Sequence, residues 1–301
     1  MMAPDLLETL PPLRGRVTAG AALGAATWFR VGGSAEVLVR PADPADLCAL
    51  LVAIPHDTEI FVIGSASNLI VRDGGIAGIV VRLGRGFADV TVDGDAVVAG
   101  AGALDATVAE VAAAAGLGGL EFLSGIPGTV GGAVAMNAGA YGGDVAGCLD
   151  WVEVATRAGC LTRLPADRLA FAYRHAELPD GCVVTRARLR ATATDPATIS
   201  GRIRAIHDSR HATQPVRART GGSTFRNPAG AKAWQLIDEA GARGLRRGGA
   251  QVSELHCNFL LNTGDATAAD IEGLGDDVRA RVRHHSGIEL EWEIRRVGLA
   301  A

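Results

Sequence analysis

FLSGIPGTVGGAVAMNAGAYGG, residues 122–143, runs for 22 residues without a formal charge between Glu121 and Asp144, and seven of those residues are glycine. Length alone would suit a membrane span, since about 20 apolar residues cross a bilayer. The seven glycines, together with Pro127, Ser124, Thr129 and Asn137, argue against a helix. Glycine lacks a Cβ, so its backbone reaches positive φ and its N–H can come close to a bound anion. Ile126, Val130, Val134 and Met136 keep the run apolar, whereas surface loops are usually more charged. The stretch is built to lie against something.

At 301 residues the chain exceeds the common single-domain size of roughly 100–150, so two or three units with their own cores are expected. Hydrophobic residues make up 48% and charged residues 21%, close to globular averages, but 40 glycines are near twice the usual roughly 7%. Tight turns and close backbone approaches should be frequent. The five cysteines, at 48, 148, 160, 182 and 257, form no C-x-x-C pair and have no His at metal-ligand spacing. Reduced, mostly buried thiols and no metal are expected. The opening MMAPDLLETLPPLRGRV has no long apolar core and places acidic residues before any basic one, unlike a secretory signal, so a cytoplasmic location is expected.

Net charge is −4, yet residues 202–247 hold ten Lys/Arg against three Asp/Glu, a local +7 that leaves −11 for the rest. A basic region in an acidic protein suggests an anionic partner. Only Phe225 and Trp234 interleave those charges, too few stacking platforms for nucleic acid, so a small phosphorylated ligand fits better. Arg202, Arg204 and Arg210 read equally well as a solvated helix face.

Hydrophobic spacing predicts helices over 44–54, from Leu104 to Gly116, over about 197–211, 230–241 and 267–285. Strands are expected at EIFVIG ending on Gly64, at 79–83, 88–92 and 96–99, from Val183, over 256–262 and over 288–298. A hairpin is expected at 151–156 and 160–164, around Arg157-Ala158-Gly159. Thr194-Asp195-Pro196 is the expected domain boundary. The pattern is α+β in two parts, without the strict alternation of a doubly wound fold.

Three glycine-rich places invite a nucleotide. Gly100-Ala101-Gly102 precedes a helix as a dinucleotide fingerprint does, but Asp105 stands at the third glycine, where a carboxylate would repel a pyrophosphate. The turn Gly64-Ser65-Ala66-Ser67-Asn68 follows a strand and can present N–H groups to phosphate oxygens. The opening run contributes Ser124-Gly125-Ile126-Pro127-Gly128-Thr129-Val130-Gly131-Gly132, hydroxyls and backbone donors small enough for a flat ring or a diphosphate to approach.

Seven blocks in order, TWFRVGGSAE (27–36), IGSASNLIV (63–71), SGIPGTVGGAVAMNAGAYG (124–142), FAYR (171–174), TQPVRARTGGSTFRNP (213–228), SELHCNFLLN (253–262) and LEWEIRRVG (290–298), cover nearly the whole chain. Together they resemble the UDP-N-acetylenolpyruvoylglucosamine reductases, flavoenzymes of peptidoglycan precursor synthesis. One departure is Ser65-Ala66, where the family usually shows more glycine. Longer relatives insert a segment with a substrate-facing Tyr; this chain has no room for it and resembles the shorter subtype.

The resemblance implies an N-terminal segment (1–25) and an FAD-binding domain of the vanillyl-alcohol-oxidase (PCMH) type over 26–197, with subdomains at about 26–88 and 89–197. A C-terminal α+β substrate domain follows over 198–301, its last strand returning to the active site. FAD would meet Gly64 to Asn68 and Ser124 to Gly132. NADPH would reduce the flavin, and hydride would pass to the vinyl carbon of UDP-N-acetylglucosamine enolpyruvate, giving UDP-N-acetylmuramate. By family position Arg174, Ser223 and Glu293 are catalytic, while Tyr173, Arg217, Arg219 and Asn227 face the substrate. The chemistry agrees: hydride addition beside a carboxylate leaves an enolate-like dianion, which needs fixed positive charge and a proton donor. A guanidinium supplies the first, and Ser223 in GGSTF the second. Period two places Glu293 with Glu291 and Arg295 on one strand face. A flavin oxidase on the same scaffold would need a base but no carbon protonation, and a non-catalytic nucleotide-binding module would leave all three residues without a task.

Overall fold

Thr267 begins the longest helix, Ala268–Ser286, with a capping box: its hydroxyl accepts from the Asp270 amide while the Asp270 carboxylate accepts from its own. Gly287, at φ +73°, ends it in the left-handed conformation that glycine adopts without strain. The computed structural model describes residues 6–301, leaving residues 1–5 of the expected N-terminal segment outside. The chain divides into two compact units that do not follow chain order. The first comprises the residues up to 19 together with 37–64 and 78–209; the second comprises 20–36, 65–77 and 210–301.

The first unit is built on a five-stranded antiparallel sheet in the order Leu161–Pro165, Leu149–Ala155, Val183–Arg190, Ala96–Gly100, Val90–Asp93. The predicted hairpin is its edge, with Val152 opposite Leu164. The alternating strand from Val183 is its centre. The helix Asp105–Ala114 ends before Gly116, φ +68°, and buries Val108, Ala109 and Ala112 in a core shared with Leu120, Leu123, Val130 and Leu149. A second core gathers Leu47, Leu50 and Leu51 of the helix Pro44–Ala53 around Val39, Ile79 and Val81.

In the second unit, Ile271, Leu274, Val278 and Val282 of the long helix pack with Phe29, Ile70, Phe225, Ile237 and Leu290. A three-stranded antiparallel sheet runs Arg246–Arg247, Ala250–Val252, Leu260–Asn262. The strand Arg295–Val297 pairs in parallel with Leu69–Val71.

Several expectations need correction. Residues 122–143 are not helix-free: Val130–Ala135 is a short helix and Glu121–Gly125 a 3-10 turn. Val130, Ala133 and Val134, spaced for one helical face, are buried, and that burial outweighs the low propensity of Gly131 and Gly132. The strand expected over 256–262 is reduced to Leu260–Asn262, because Asn258 spends its amide on Phe225, accepting from its N–H and donating to its carbonyl. Only Arg295–Val297 of 288–298 joins a ladder, although burial still alternates, with Leu290 and Ile294 inward and Glu291 outward. Arg16–Ala22 and Ser34–Arg40, both strands, carried no expectation; they pair in the order Arg16–Ala22, Ser34–Arg40, Ile76–Arg82, Ile60–Ile63.

Candidate functional site

Ser223 reaches its position through two glycines that no other residue could replace at no cost. A Cβ on Gly221 would lie 2.3 Å from the ring of the fully buried Phe29, and Gly222 has φ +80°. Beyond Ser223, Thr224 accepts from the Glu293 amide (2.8 Å) and Phe225 forms an antiparallel bridge with Trp292, their rings 5.1 Å apart. The amide of Arg226 donates to the Glu291 carbonyl (2.9 Å). Two motifs some 70 residues apart in sequence are thus laid side by side, and half-buried Ser223 and Glu293 fall on facing strands of chain. On the other side of Glu293, its carbonyl accepts from Asn68 Nδ2 (3.2 Å), and the Arg295 amide donates to the Asn68 carbonyl (3.1 Å).

Arg174 belongs to the first unit. Ala172 and His175 exchange both backbone hydrogen bonds across a two-residue turn, and Arg174 occupies it at φ +56°. That region costs a side-chain-bearing residue roughly 1–2 kcal/mol, so the turn holds this arginine against its preference. Its Nη2 donates to the Gly139 carbonyl (2.9 Å), and the guanidinium lies 5.0 Å from the centre of the exposed Tyr173 ring. Asn137, buried and at φ +40°, was missed by sequence reasoning. Its side-chain amide donates to the Ala172 carbonyl (3.0 Å) and accepts from the Ala146 amide (2.9 Å), tying the glycine run to the Arg174 turn. The available signal was a lone amide side chain inside an uncharged stretch.

Glycine in the 124–132 loop is required by its own surroundings. A Cβ on Gly128 would sit 2.4 Å from Asp105 Oδ2, on Gly131 3.0 Å from Ala101, and on Gly64 2.3 Å from Thr129 Oγ1. Gly132 differs: only Thr129 Oγ1, at 3.8 Å, approaches its Cβ position, and the residue is exposed. The amides of Ile126, Gly128, Val130 and Gly131 bond to protein carbonyls, and the Ser124 hydroxyl donates to the Glu121 carbonyl. A ligand at this loop therefore meets other atoms of it. In the 64–68 turn Ser65 Oγ donates to Ser67 Oγ (3.2 Å), and Ala66 stands at φ +53°, a left-handed position that a glycine would take without strain.

Asp105 overturns one expectation. Burial pushes its carboxyl up to about 8, and neither oxygen has a hydrogen-bond partner among the described residues, so at neutral pH it is mostly uncharged and repels an anion little. Of the substrate candidates, Asn227 Oδ1 accepts from the Ala233 amide, and Arg219 Nη1 donates to the Gly264 carbonyl while its backbone bridges Asn262. Arg217 is exposed. Much of the basic region is internally matched, as with Arg202–Glu121 (3.1 Å), Arg243–Asp238 (2.7 Å) and Arg247–Asp277 (3.1 Å). His256, without a role on sequence grounds, accepts from the Asn258 amide at Nδ1 and packs edge-on against Phe259; burial lowers its pKa. Among the described residues no cluster of His, Cys, Asp and Glu could hold a metal ion, and no helix is long and apolar enough to cross a membrane.

Two family models match the chain: an FAD binding domain over residues 35–165, and the C-terminal domain of UDP-N-acetylenolpyruvoylglucosamine reductase over 214–297. The reductase of Acidiphilium cryptum is 64% identical, over 98% of this chain and 96% of its own length. The chain belongs to the UDP-N-acetylenolpyruvoylglucosamine reductase family. The reductase of Granulibacter bethesdensis is 63% identical over 97% of this chain and 94% of its own. The crystal structure of the Thermus caldophilus reductase superposes with a TM-score of 0.81 at 36% identity, covering 95% of this chain and 99% of that one. For a reductase of this family FAD is the cofactor, and the residues present fit it: the exposed, Cβ-free edge at Gly132 allows close approach, and the buried Asp105 carboxyl beside Gly128 is mostly uncharged.

Proposed function

We infer that this reductase is an NADPH-dependent flavoenzyme that converts UDP-N-acetylglucosamine enolpyruvate to UDP-N-acetylmuramate in the cytoplasm, with Ser223, Arg174 and Glu293 as its catalytic residues. FAD, when bound, supplies the hydride, which NADPH provides. FAD is held by residues of the Gly64–Asn68 turn and of the Ser124–Gly132 loop. Arg174, pre-set in its strained turn, offers planar paired donors to the substrate carboxylate and stabilises the charge that hydride addition pushes into it. Ser223 Oγ gives its proton to the adjacent carbon. A hydroxyl is a weak acid, but a carbanion is a far stronger base, so the transfer runs downhill. Glu293 orients that proton transfer or assists it. Arg217, Arg219, Asn227 and Tyr173 contact the UDP-sugar.

The observation that supports this reading is the backbone pairing of Thr224 with Glu293, which brings the segment that follows Ser223 alongside the segment that carries Glu293. The test is Ser223→Ala. It should leave bleaching of the flavin by NADPH within a few-fold of wild type while lowering turnover of the enolpyruvyl substrate by about 10²–10⁴-fold. Unchanged turnover would reject the acid role.

A further inference from the structure

The backbone of Glu293 is held from two sides by segments that are remote in sequence. Its N–H is bound by the Thr224 carbonyl (2.8 Å), one residue from Ser223, and its carbonyl by Asn68 Nδ2 (3.2 Å). Asn68 then closes the arrangement with its own carbonyl, which accepts from the Arg295 amide (3.1 Å) at the head of the parallel ladder Arg295–Val297 with Leu69–Val71. The stretch 289–294 has no continuous ladder of its own. These bonds help to set the φ and ψ of Glu293, and with them the direction in which its side chain leaves the backbone. Asn68 is also the last residue of the turn that begins at Gly64.

We propose that Asn68 is a positioning residue for the proton-transfer step, fixing Glu293 from the flavin-facing turn so that the acid machinery is aligned only when that turn is in place. The inference rests on the catalytic reading of Glu293 given above. An aspartate at 68 keeps the shape but loses the donor and sets an oxygen against the Glu293 carbonyl; a packing role for residue 68 would tolerate that change, while a donor role would not. The backbone bond from Arg295 to residue 68 is unaffected by the substitution.

The experiment separates the two half-reactions in Asn68→Asp, Glu293→Gln and the double variant, each reconstituted with excess FAD. Because residue 68 also lies in the turn assigned to FAD, Asn68→Asp is read at saturating FAD and against its own rate of bleaching by NADPH, which corrects for any loss at the cofactor site. Return of flavin colour on adding the enolpyruvyl substrate is expected to slow by about 10–100-fold. If Asn68 acts through Glu293, the double variant is no slower than Glu293→Gln alone, since residues working as one unit are non-additive. Three results would overturn the proposal: equal slowing of both half-reactions, multiplicative losses in the double variant, or no FAD retained at any concentration, which would make Asn68 a cofactor ligand only. Normal return kinetics in Glu293→Gln would instead reject the role of Glu293 itself.

Discussion

Asp105 is the residue whose chemistry departs furthest from its sequence appearance. At the first turn of a helix a carboxylate ordinarily gains from the dipole, yet here burial without a partner carries its pKa from the ordinary 3.8 to about 8. The unfolded chain ionises this group near pH 4, whereas the folded chain keeps its proton to about 8. Folding therefore takes up a proton in that window, and this contribution to stability is greatest at the acid end, falls as pH rises through it and levels off above about 8. One proton corresponds to a slope of about 1.4 kcal/mol per pH unit. Asp105→Asn fills the same space without ionising, so its stability relative to wild type should climb between pH 5.5 and 7.5 by up to about that slope. Urea melts of both proteins at three pH values measure it, and curves that stay parallel would show that Asp105 is ionised in the fold.

At the level of elements, the turn Ala172–His175 shows why the proposed position of a functional arginine was legible while its geometry was not. FAYR marks Arg174 by resemblance, but nothing in four residues says that the arginine is held at φ +56° by paired backbone bonds and by Asn137 from a segment 35 residues earlier. Arg174→Gly relieves roughly 1–2 kcal/mol of left-handed strain. Against that stand roughly 0.5–1 kcal/mol of extra glycine entropy and about 1 kcal/mol for the lost bond to Gly139. Net stability should thus stay within about 1 kcal/mol while turnover falls at least about 10²-fold. Denaturant melts beside steady-state rates check both, and a loss of stability that tracks the loss of rate would assign Arg174 to structure. The same division runs through the other elements. The helix Ala268–Ser286 and the hairpin at 149–165 were readable because periodicity, caps and turn residues are local signals. The helix Val130–Ala135 was hidden by its glycines, and the strand expected at 256–262 was shortened by Asn258, whose partner Phe225 lies 33 residues away. Long-range satisfaction of polar groups is not written in any one stretch.

For the molecule as a whole, the return of the chain into its own second unit decides what can fold alone. A linear reading suggests residues 198–301 as a separable substrate domain, and a family model covers 214–297 within it. Yet the core of that unit includes Phe29, Val31 and Ile70, all buried, and Asn262 donates to the Phe29 carbonyl (2.8 Å). The N-terminus of the helix Ala268–Ser286 is bound by the Asp73 carboxylate, which accepts from the amides of Ala268 and Ala269 (both 3.0 Å). Glu272 of the same helix pairs with Arg72 (2.9 Å), and Arg295–Val297 has Leu69–Val71 as its only ladder partner among the described residues. Removing 20–36 and 65–77 therefore takes away a large buried aromatic side chain, a helix cap and a strand pairing at once. Losing a buried Phe side chain alone typically costs about 3–5 kcal/mol, and the cap about 1 more, against a total stability of roughly 5–15 kcal/mol for an ordinary domain. Expressed by itself, the 198–301 fragment should keep part of its helical far-ultraviolet signal, bind a hydrophobic dye such as ANS and melt without a cooperative transition. A sharp two-state melt with dispersed amide resonances would show instead that the C-terminal segment carries a sufficient core of its own, and that the inserted segments only dock onto it.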